Sequence, residues 1–168
     1  DQVLCSHQHH DHNYRAGVTL RQDSRANPFT ITSLPSFHDD CGGEKRGPNT
    51  IHLLEAGGLR VAHLGDLGAL PAPEVVEQLQ NLDAVLVPVG GFYTVGPQEA
   101  WEVVQALSPR VIVPMHYSTD TFGYDVLAPV EDFLDLGGRW VRYDTDTLEI
   151  HPGMSRHTAL LTYGGAKD

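Results

Sequence analysis

The chain has 168 residues, 40% of them hydrophobic, and this length and composition predict a single globular domain over residues 1–168 with a sizeable core. Its 22 acidic and 11 basic residues give a formal net charge of −11, which disfavours nucleic-acid and anionic-membrane partners because both require a basic face. Two cysteines are too few for a disulfide framework and no long apolar run occurs, so we expect a cytoplasmic protein.

Strands are predicted where short apolar runs are bounded by Gly, Pro or Asp. The clearest pair is the hairpin in "NTIHLLEAGGLRVAHLGD", in which Gly57 and Gly58 can form the turn. The predicted strands are Val3–Cys5, Phe29–Leu34, Ile51–Leu54, Leu59–Leu64, Ala84–Val89, Val111–Met115 and Trp140–Tyr143.

Helices are predicted between the later strands, where apolar residues recur at helical spacing. They cover Ala72–Asn81, Pro97–Leu107 and Val126–Leu136, and the second begins at a proline, which suits the first turn of a helix. Hairpins come first along the chain and strand-helix alternation second. This order predicts a mixed α/β sandwich rather than an all-parallel sheet.

The stretch "HQHHDH" at residues 7–12 contains four histidines and one aspartate, and it is either a surface cluster or half of a metal site. In an extended segment, alternate residues face the same way, so His7, His9 and Asp11 can converge while His12 turns with the chain. His10 points away from them and is expected to be exposed. Imidazole and carboxylate groups are ligands of zinc, manganese and iron.

Two metals need more ligands than one loop supplies, and three candidates follow apolar runs further along the chain. They are His38 in "LPSFHDD", Asp66 in "VAHLGDLG" and His116 in "VIVPMHY". Strand ends are where an α/β scaffold presents its functional residues. The pattern His-x-His-x-Asp-His followed by these three residues therefore favours a metal site over a solvated patch.

These motifs resemble those of the metallo-β-lactamase superfamily. The segments "SFHDDCGGEKRGPNTI", "VPVGGFYT" and "PMHY" resemble sequences of the bacterial metal-dependent hydrolase branch that includes L-ascorbate-6-phosphate lactonase. The resemblance covers roughly residues 1 to 145 and implies an αββα sandwich with mixed sheets. The Thr-Pro-Gly-His form of the third motif, usual in the glyoxalase-like and β-lactamase branches, is replaced here, which disfavours thioester and antibiotic substrates.

The resemblance also implies a dinuclear site that contains two divalent ions, zinc or manganese. His7, His9 and His38 would bind one metal, Asp11, His12 and His116 the other, and Asp66 would bridge them. Family members carry strands before this histidine loop, so we expect that the first strands of the fold are missing here or supplied by another chain, with a homo-oligomer as one outcome.

The expected function is hydrolysis of a small, anionic lactone or ester by a hydroxide held between two metals, with Asp11 or Asp66 accepting its proton. Arg46 and Tyr93 are candidates for contacts with the substrate, and Lys45 is a weaker one. A phosphodiesterase acting on a phospholipid or nucleic acid and a metal-binding protein without turnover stay open as alternatives.

The remaining histidines and Cys41 are expected to play smaller parts. His63 is either a hydrogen-bond partner of a metal ligand or a strand residue without a role. Cys41 is expected to be a small, half-buried residue. Surface positions are predicted for His52, His151 and His157.

Overall fold

The computed structural model describes residues 1–21 and 25–163, and its strands form one mixed sheet. The first three strands make an antiparallel meander: β1 (Thr30–Phe37), β2 (Pro48–Ala56) and β3 (Leu59–His63). The later strands are β4 (Ala84–Pro88), β5 (Val111–Met115), β6 (Trp140–Tyr143) and β7 (His157–Leu161). The helices are α1 (Pro73–Gln78), α2 (Pro97–Leu107) and α3 (Val130–Leu134), and Arg15–Gly17 form a short 3-10 turn.

The seven strands lie in the order β1-β2-β3-β4-β5-β7-β6. The neighbouring pairs β3-β4, β4-β5, β5-β7 and β7-β6 are all parallel. Parallel strands need crossover connections, and three of the connections between β3 and β6 along the chain contain a helix. Since β1 and β3 are both antiparallel to β2, the strands β1, β3, β4 and β5 all run in one direction. Their carboxyl ends therefore meet at the same edge of the sheet, beside the amino end of β2.

The main hydrophobic core lies between the three helices and one face of the sheet. Helix α2 contributes four fully buried residues at helical spacing, Ala100, Val103, Val104 and Leu107, and α3 contributes Phe133. Because side chains alternate across a strand, the opposite face contains a second set of buried residues, Ala84, Val111 and Ala159. The segment with Leu148, Ile150 and Met154 packs on that second face.

The mixed α/β class, the hairpin and most elements are confirmed. Helix α2, β5 and β6 have the predicted bounds, whereas α1 and α3 are shorter than predicted, with their ends in turns. The strand predicted at Val3–Cys5 is wrong: within the described chain, Cys5 bonds to β2 only through the His52 side chain, and the next residue, Ser6, accepts a single backbone bond from Thr50. Strand β7 was not predicted. The expectation that the first strands of the fold are missing here or supplied by another chain stays a prediction.

Within the described ranges, every helix is too short or too polar to cross a membrane.

Candidate metal centre

The fold brings the predicted ligands together at the sheet edge where β1, β3 and β5 end. His38 directly follows β1, Asp66 lies three residues after β3, and His116 directly follows β5. The loop of residues 7–12 reaches the same edge because its preceding residues are bonded to β2. There, the Thr50 N–H donates to the Ser6 carbonyl (2.7 Å), and His52 Nε2 donates to the Cys5 carbonyl (3.1 Å).

One oxygen of Asp66 lies at the centre of the histidines. The Oδ2 atom is 3.2 Å from Nε2 of His38 and 3.5 Å from Nε2 of His12. It is 3.7 Å from Nε2 of His7 and 3.8 Å from Nε2 of His116. Two ligand atoms bound to one tetrahedral zinc ion lie about 3.3 Å apart. The separation of Asp66 Oδ2 from His38 Nε2 is close to this value, and the other three separations are slightly longer.

Two groups of three residues could each hold a metal ion, and His7 belongs to both. Within each group, all ligand atoms lie within 4.8 Å of one another. The first is His7, His9 and His38, the three residues that the resemblance assigns to one metal. The second is His7, His12 and Asp66. Asp11 is more peripheral: its Oδ2 is 3.7 Å from His12 Nε2, and its side chain is 47% exposed.

The pKa shifts of His7 and Asp66 favour the neutral imidazole and the ionised carboxylate that bind metals. Burial, together with the charges of nearby histidines, lowers the pKa of His7 to about 4 against the opposing charge of Asp66, so this ring is neutral at pH 7. Burial opposes the charge on Asp66, but its hydrogen bond with His38 and the charges of His12 and His116 hold its pKa below the ordinary value. Burial alone would lower the pKa of His38, yet the hydrogen bond with Asp66 raises it.

A buried, unpartnered nitrogen provides an independent test of whether a metal fits. His7 Nδ1 is hydrogen-bonded to Ser6 Oγ (2.9 Å), whereas Nε2 is buried and has no hydrogen-bond partner among the residues that the structure describes. Buried polar atoms are almost always satisfied, and metal-binding histidines usually donate their second ring nitrogen to an oxygen. The donor set of imidazoles and a carboxylate is also that of zinc and manganese sites, so the residues fit divalent cations.

The loop from His38 to Gly47 is folded around the carboxylate of Asp39, which is 3% exposed. Oδ1 accepts the N–H groups of Cys41 (3.0 Å) and Gly43 (2.7 Å), and Oδ2 accepts those of Lys45 (2.9 Å) and Arg46 (2.8 Å). Burial opposes the charge, yet these four bonds hold the pKa of Asp39 well below its usual range. The loop is thereby fixed next to the candidate ligand His38.

Arg46 and Tyr93, the predicted substrate contacts, lie against each other beside the cluster. Arg46 Nη2 donates to the Phe92 carbonyl (3.0 Å), and the guanidinium carbon lies 5.7 Å from the centre of the Tyr93 ring. The Tyr93 ring centre is 6.4 Å from that of His116. Arg46 lines both a cavity of about 420 Å³ next to Tyr93 and a smaller cavity of about 200 Å³ next to His7 and His9.

The predicted exposure of the remaining histidines and of Cys41 is confirmed at some positions and wrong at others. His10 and His151 are exposed and Cys41 is half-buried, as expected. His63 Nδ1 accepts the Gly65 N–H (3.0 Å), next to Asp66 in the chain. The surface positions predicted for His52 and His157 are wrong. Both rings are buried, His52 between Ser33 and the Cys5 carbonyl and His157 between the Tyr143 hydroxyl and the Ser155 carbonyl.

Sequence reasoning missed Asn49, which is hydrogen-bonded to the turn that carries Asp66. A lone polar residue at the start of a strand, within "GPNTIHLL", resembles an ordinary turn residue. The only signal was its position immediately before a run of core residues.

The chain is similar to known proteins. Residues 1–116 match the family model described as "Beta-lactamase superfamily domain". A UPF0173 metal-dependent hydrolase of Thermococcus onnurineus is 35% identical over 110 residues, which cover 64% of this chain and 48% of the relative. A relative with the same name in Carboxydothermus hydrogenoformans is 28% identical over 172 residues, which cover 82% of this chain and 74% of that protein.

A crystal structure from Thermotoga maritima, named as a Zn-dependent hydrolase of the metallo-β-lactamase superfamily, superposes with a TM-score of 0.69 at 36% identity. The match covers 93% of this chain and 79% of that one. This similarity confirms the predicted fold class. The chain spans about half the length of the Thermococcus relative and about three quarters of the Carboxydothermus one.

Proposed function

The chain belongs to the metallo-β-lactamase superfamily, and on this premise we propose that it is a metal-dependent hydrolase with a site for two divalent cations. The observation that carries this proposal is the position of Asp66 Oδ2, 3.2–3.8 Å from Nε2 of four histidines. A single carboxylate oxygen with four imidazole neighbours suits a ligand shared between two cations.

The two cations would use different ligands on the two sides of Asp66. His7, His9 and His38 would hold the first, in keeping with the close grouping of their ring nitrogens. His12 and His116 would hold the second together with Asp11. The bound cations would supply a nucleophile from water at neutral pH and would polarise the substrate carbonyl.

Asp11 is the residue that we assign to proton transfer. Its carboxylate is 47% exposed at the open side of the cluster, whereas that of Asp66 is 7% exposed and surrounded by histidines. An accessible carboxylate next to the cluster can accept a proton from the attacking water and release it to solvent. Asp66 would keep its charge throughout, because its neighbours favour the ionised form.

The substrate class that we propose is a small, anionic lactone or ester. Its support is the resemblance to the lactonase branch and the guanidinium of Arg46, which lines both cavities beside the cluster. Guanidinium groups bind carboxylate and phosphate with paired hydrogen bonds. The ring of Tyr93, next to the Arg46 guanidinium, can cover the rest of a small substrate.

The test is metal analysis combined with a substrate panel on the purified chain. We expect about two equivalents of divalent metal per chain and hydrolysis of lactones or carboxylic esters, with little turnover of phosphodiesters or β-lactams. Preferred turnover of phosphodiesters would instead support the phosphodiesterase alternative. Two bound metals without turnover of any class would support a non-catalytic role, and a folded sample free of metal after reconstitution would refute the site.

A further inference from the structure

Asn49 is a buried side chain whose polar atoms are all occupied by neighbours of the proposed metal centre. It is 1% exposed. Its Nδ2 donates to Ser36 Oγ (2.7 Å) and to the Leu64 carbonyl (2.8 Å), and its Oδ1 accepts the Asp66 N–H (3.0 Å). Both amide hydrogens and the amide oxygen therefore have partners, which fixes the orientation of the group.

The position of Asn49 explains these contacts. Strands β2 and β3 pair in an antiparallel register that ends at His52 and His63, and extending this register places Asn49 opposite Asp66. Backbone pairing has stopped at that point, because the chain leaves β3 for the turn that carries Asp66. The side-chain amide of Asn49 satisfies the Leu64 carbonyl and the Asp66 N–H where the strand ladder no longer does.

Gly65 lets the turn approach Asn49 this closely. It has a φ of 61°, a conformation that other residues rarely adopt. A Cβ atom there would collide with Asn49 Oδ1 and would lie 2.6 Å from Ser6 Cβ. The Leu64–Asp66 turn is thus seated between Asn49 and the loop that carries His7.

We propose that Asn49 is the positioning residue of the metal centre and holds Asp66 in place through the backbone of the Leu64–Asp66 turn. This inference rests on the proposed function, because Asp66 is there the ligand shared by two cations. Asn49 contacts no metal ligand through a ligating atom, so its effect on metal binding is transmitted by the turn. Ser36 supports it from the other side, since its hydroxyl accepts from Nδ2 and donates to the Asn49 carbonyl (3.2 Å).

The chemistry requires an amide in this place. An aspartate has the same shape and could still accept the Asp66 N–H, but it cannot donate to the Leu64 carbonyl. It would also place a second buried carboxylate next to Asp66, where like charges repel. Alanine would remove all three hydrogen bonds and leave the Leu64 carbonyl and the Asp66 N–H without partners.

The experiment compares Asn49→Ala, Asn49→Asp and Ser36→Ala with Val103→Ala, a control that removes side-chain volume from a buried position in α2, a helix without a proposed ligand. Zinc affinity is measured by competition with a chelator, and amide hydrogen exchange of the metal-free chain reports on Asp66 N–H by NMR. For both Asn49 variants we expect zinc affinity about 10- to 100-fold weaker and faster exchange at Asp66. Ser36→Ala should give a smaller loss, and Val103→Ala should be less stable but keep its zinc affinity.

Unchanged exchange at Asp66 and unchanged zinc affinity in a folded Asn49 variant would overturn the proposal. An equal loss of affinity in Val103→Ala would also overturn it, because the effect would then follow general stability. If the unaltered chain binds neither zinc nor manganese, the proposed function fails, whereas the exchange data on the metal-free chain still decide whether Asn49 fixes the turn. Should Asn49→Ala not fold, Asn49→Asp and Ser36→Ala carry the same comparison.

Discussion

Gly90 lies so close to the backbone of His116 that a larger residue there would move a proposed metal ligand. A Cβ atom on Gly90 would collide with the His116 carbonyl oxygen. His116 itself has a φ of 56°, which is uncommon for a residue with a side chain and requires support from its surroundings. Such support comes from the hydrogen bond between the Val89 N–H and the Met115 carbonyl (3.0 Å).

We therefore predict that Gly90→Ala displaces His116 and weakens binding of the metal that His116 is proposed to hold. The close contact should cost about 1–3 kcal/mol of stability, as overpacking usually does. Metal analysis should show a loss of up to one equivalent, and thermal unfolding should show the lower stability. Gly96→Ala is the matched control, because its Cβ would meet mainly the flexible end of Glu99. Retention of both metals in Gly90→Ala would contradict the prediction.

Arg46 gives a prediction about substrate charge. Its guanidinium donates to the Phe92 carbonyl and lies over Tyr93, so it both orders the loop and presents a cation to the cavity. Arg46→Ala should raise KM for an anionic ester about 10-fold and change KM for a matched neutral ester much less. Lys45→Ala, at the weaker candidate for substrate contact, should change both KM values less, because the Lys45 side chain is 63% exposed and paired with Asp40. Equal effects on both esters would indicate that Arg46 only orders the loop.

The candidate ligands could be found from the sequence because their pattern is local or recurs at strand ends. Residues 7–12 contain four candidates in six positions, and His38 and His116 directly follow apolar runs. Asn49 could not be found in this way, because its partners Leu64 and Asp66 are remote in sequence and its role depends on where backbone pairing stops. His52 and His157 were misplaced for the same reason, since the groups that satisfy their rings lie in other elements.

At the scale of elements, the loop between β1 and β2 depends on one carboxylate rather than on regular structure. Asp39 accepts four backbone N–H groups within the loop, and its neighbour Asp40 forms only an exposed ion pair with Lys45. The sequence "HDDCGGEKRG" does not reveal which aspartate organises the loop. The two residues therefore form a matched pair for mutation.

We predict that Asp39→Asn lowers the melting temperature and weakens metal binding at His38. An asparagine can accept only on its oxygen, so its amide group would face two of the four N–H donors. Asp40→Asn should change the melting temperature little, as expected for an exposed ion pair. Thermal unfolding and zinc titration measure the melting temperature and the zinc affinity of the two variants. Equal values for both variants would show that the loop does not depend on Asp39.

The elements that sequence reasoning misjudged are those whose partners lie far along the chain. Strand β7 is a short apolar run that pairs with β5 over only two residues and with β6 over four. Conversely, Val3–Cys5 is apolar like a strand, but the carbonyls of Cys5 and Ser6 bond singly to His52 and Thr50 of β2. Helix α2 was predicted correctly because its apolar spacing and its initial proline are local features.

For the whole molecule, the proposed metal centre joins four parts of the chain that are distant in sequence. The loop of residues 7–12, the residue after β1, the turn after β3 and the residue after β5 all meet at Asp66. A ligand that binds only the folded chain stabilises it, and these segments separate when the chain unfolds. Metal binding is therefore expected to stabilise the entire fold and not only the site.

We predict that a chelator lowers the melting temperature of the metal-loaded chain by on the order of 10 °C. A metal present at about 1,000 times its Kd contributes about 4 kcal/mol, and for a chain of this size each kcal/mol shifts the melting temperature by about 2–4 °C. Calorimetry with and without chelator measures the shift. His10→Ala, which changes an exposed histidine in the same loop, should show the full shift, whereas Asp66→Asn should show little. If the chelator strips the metal and leaves the melting temperature of the unaltered chain unchanged, the centre does not hold these four segments together.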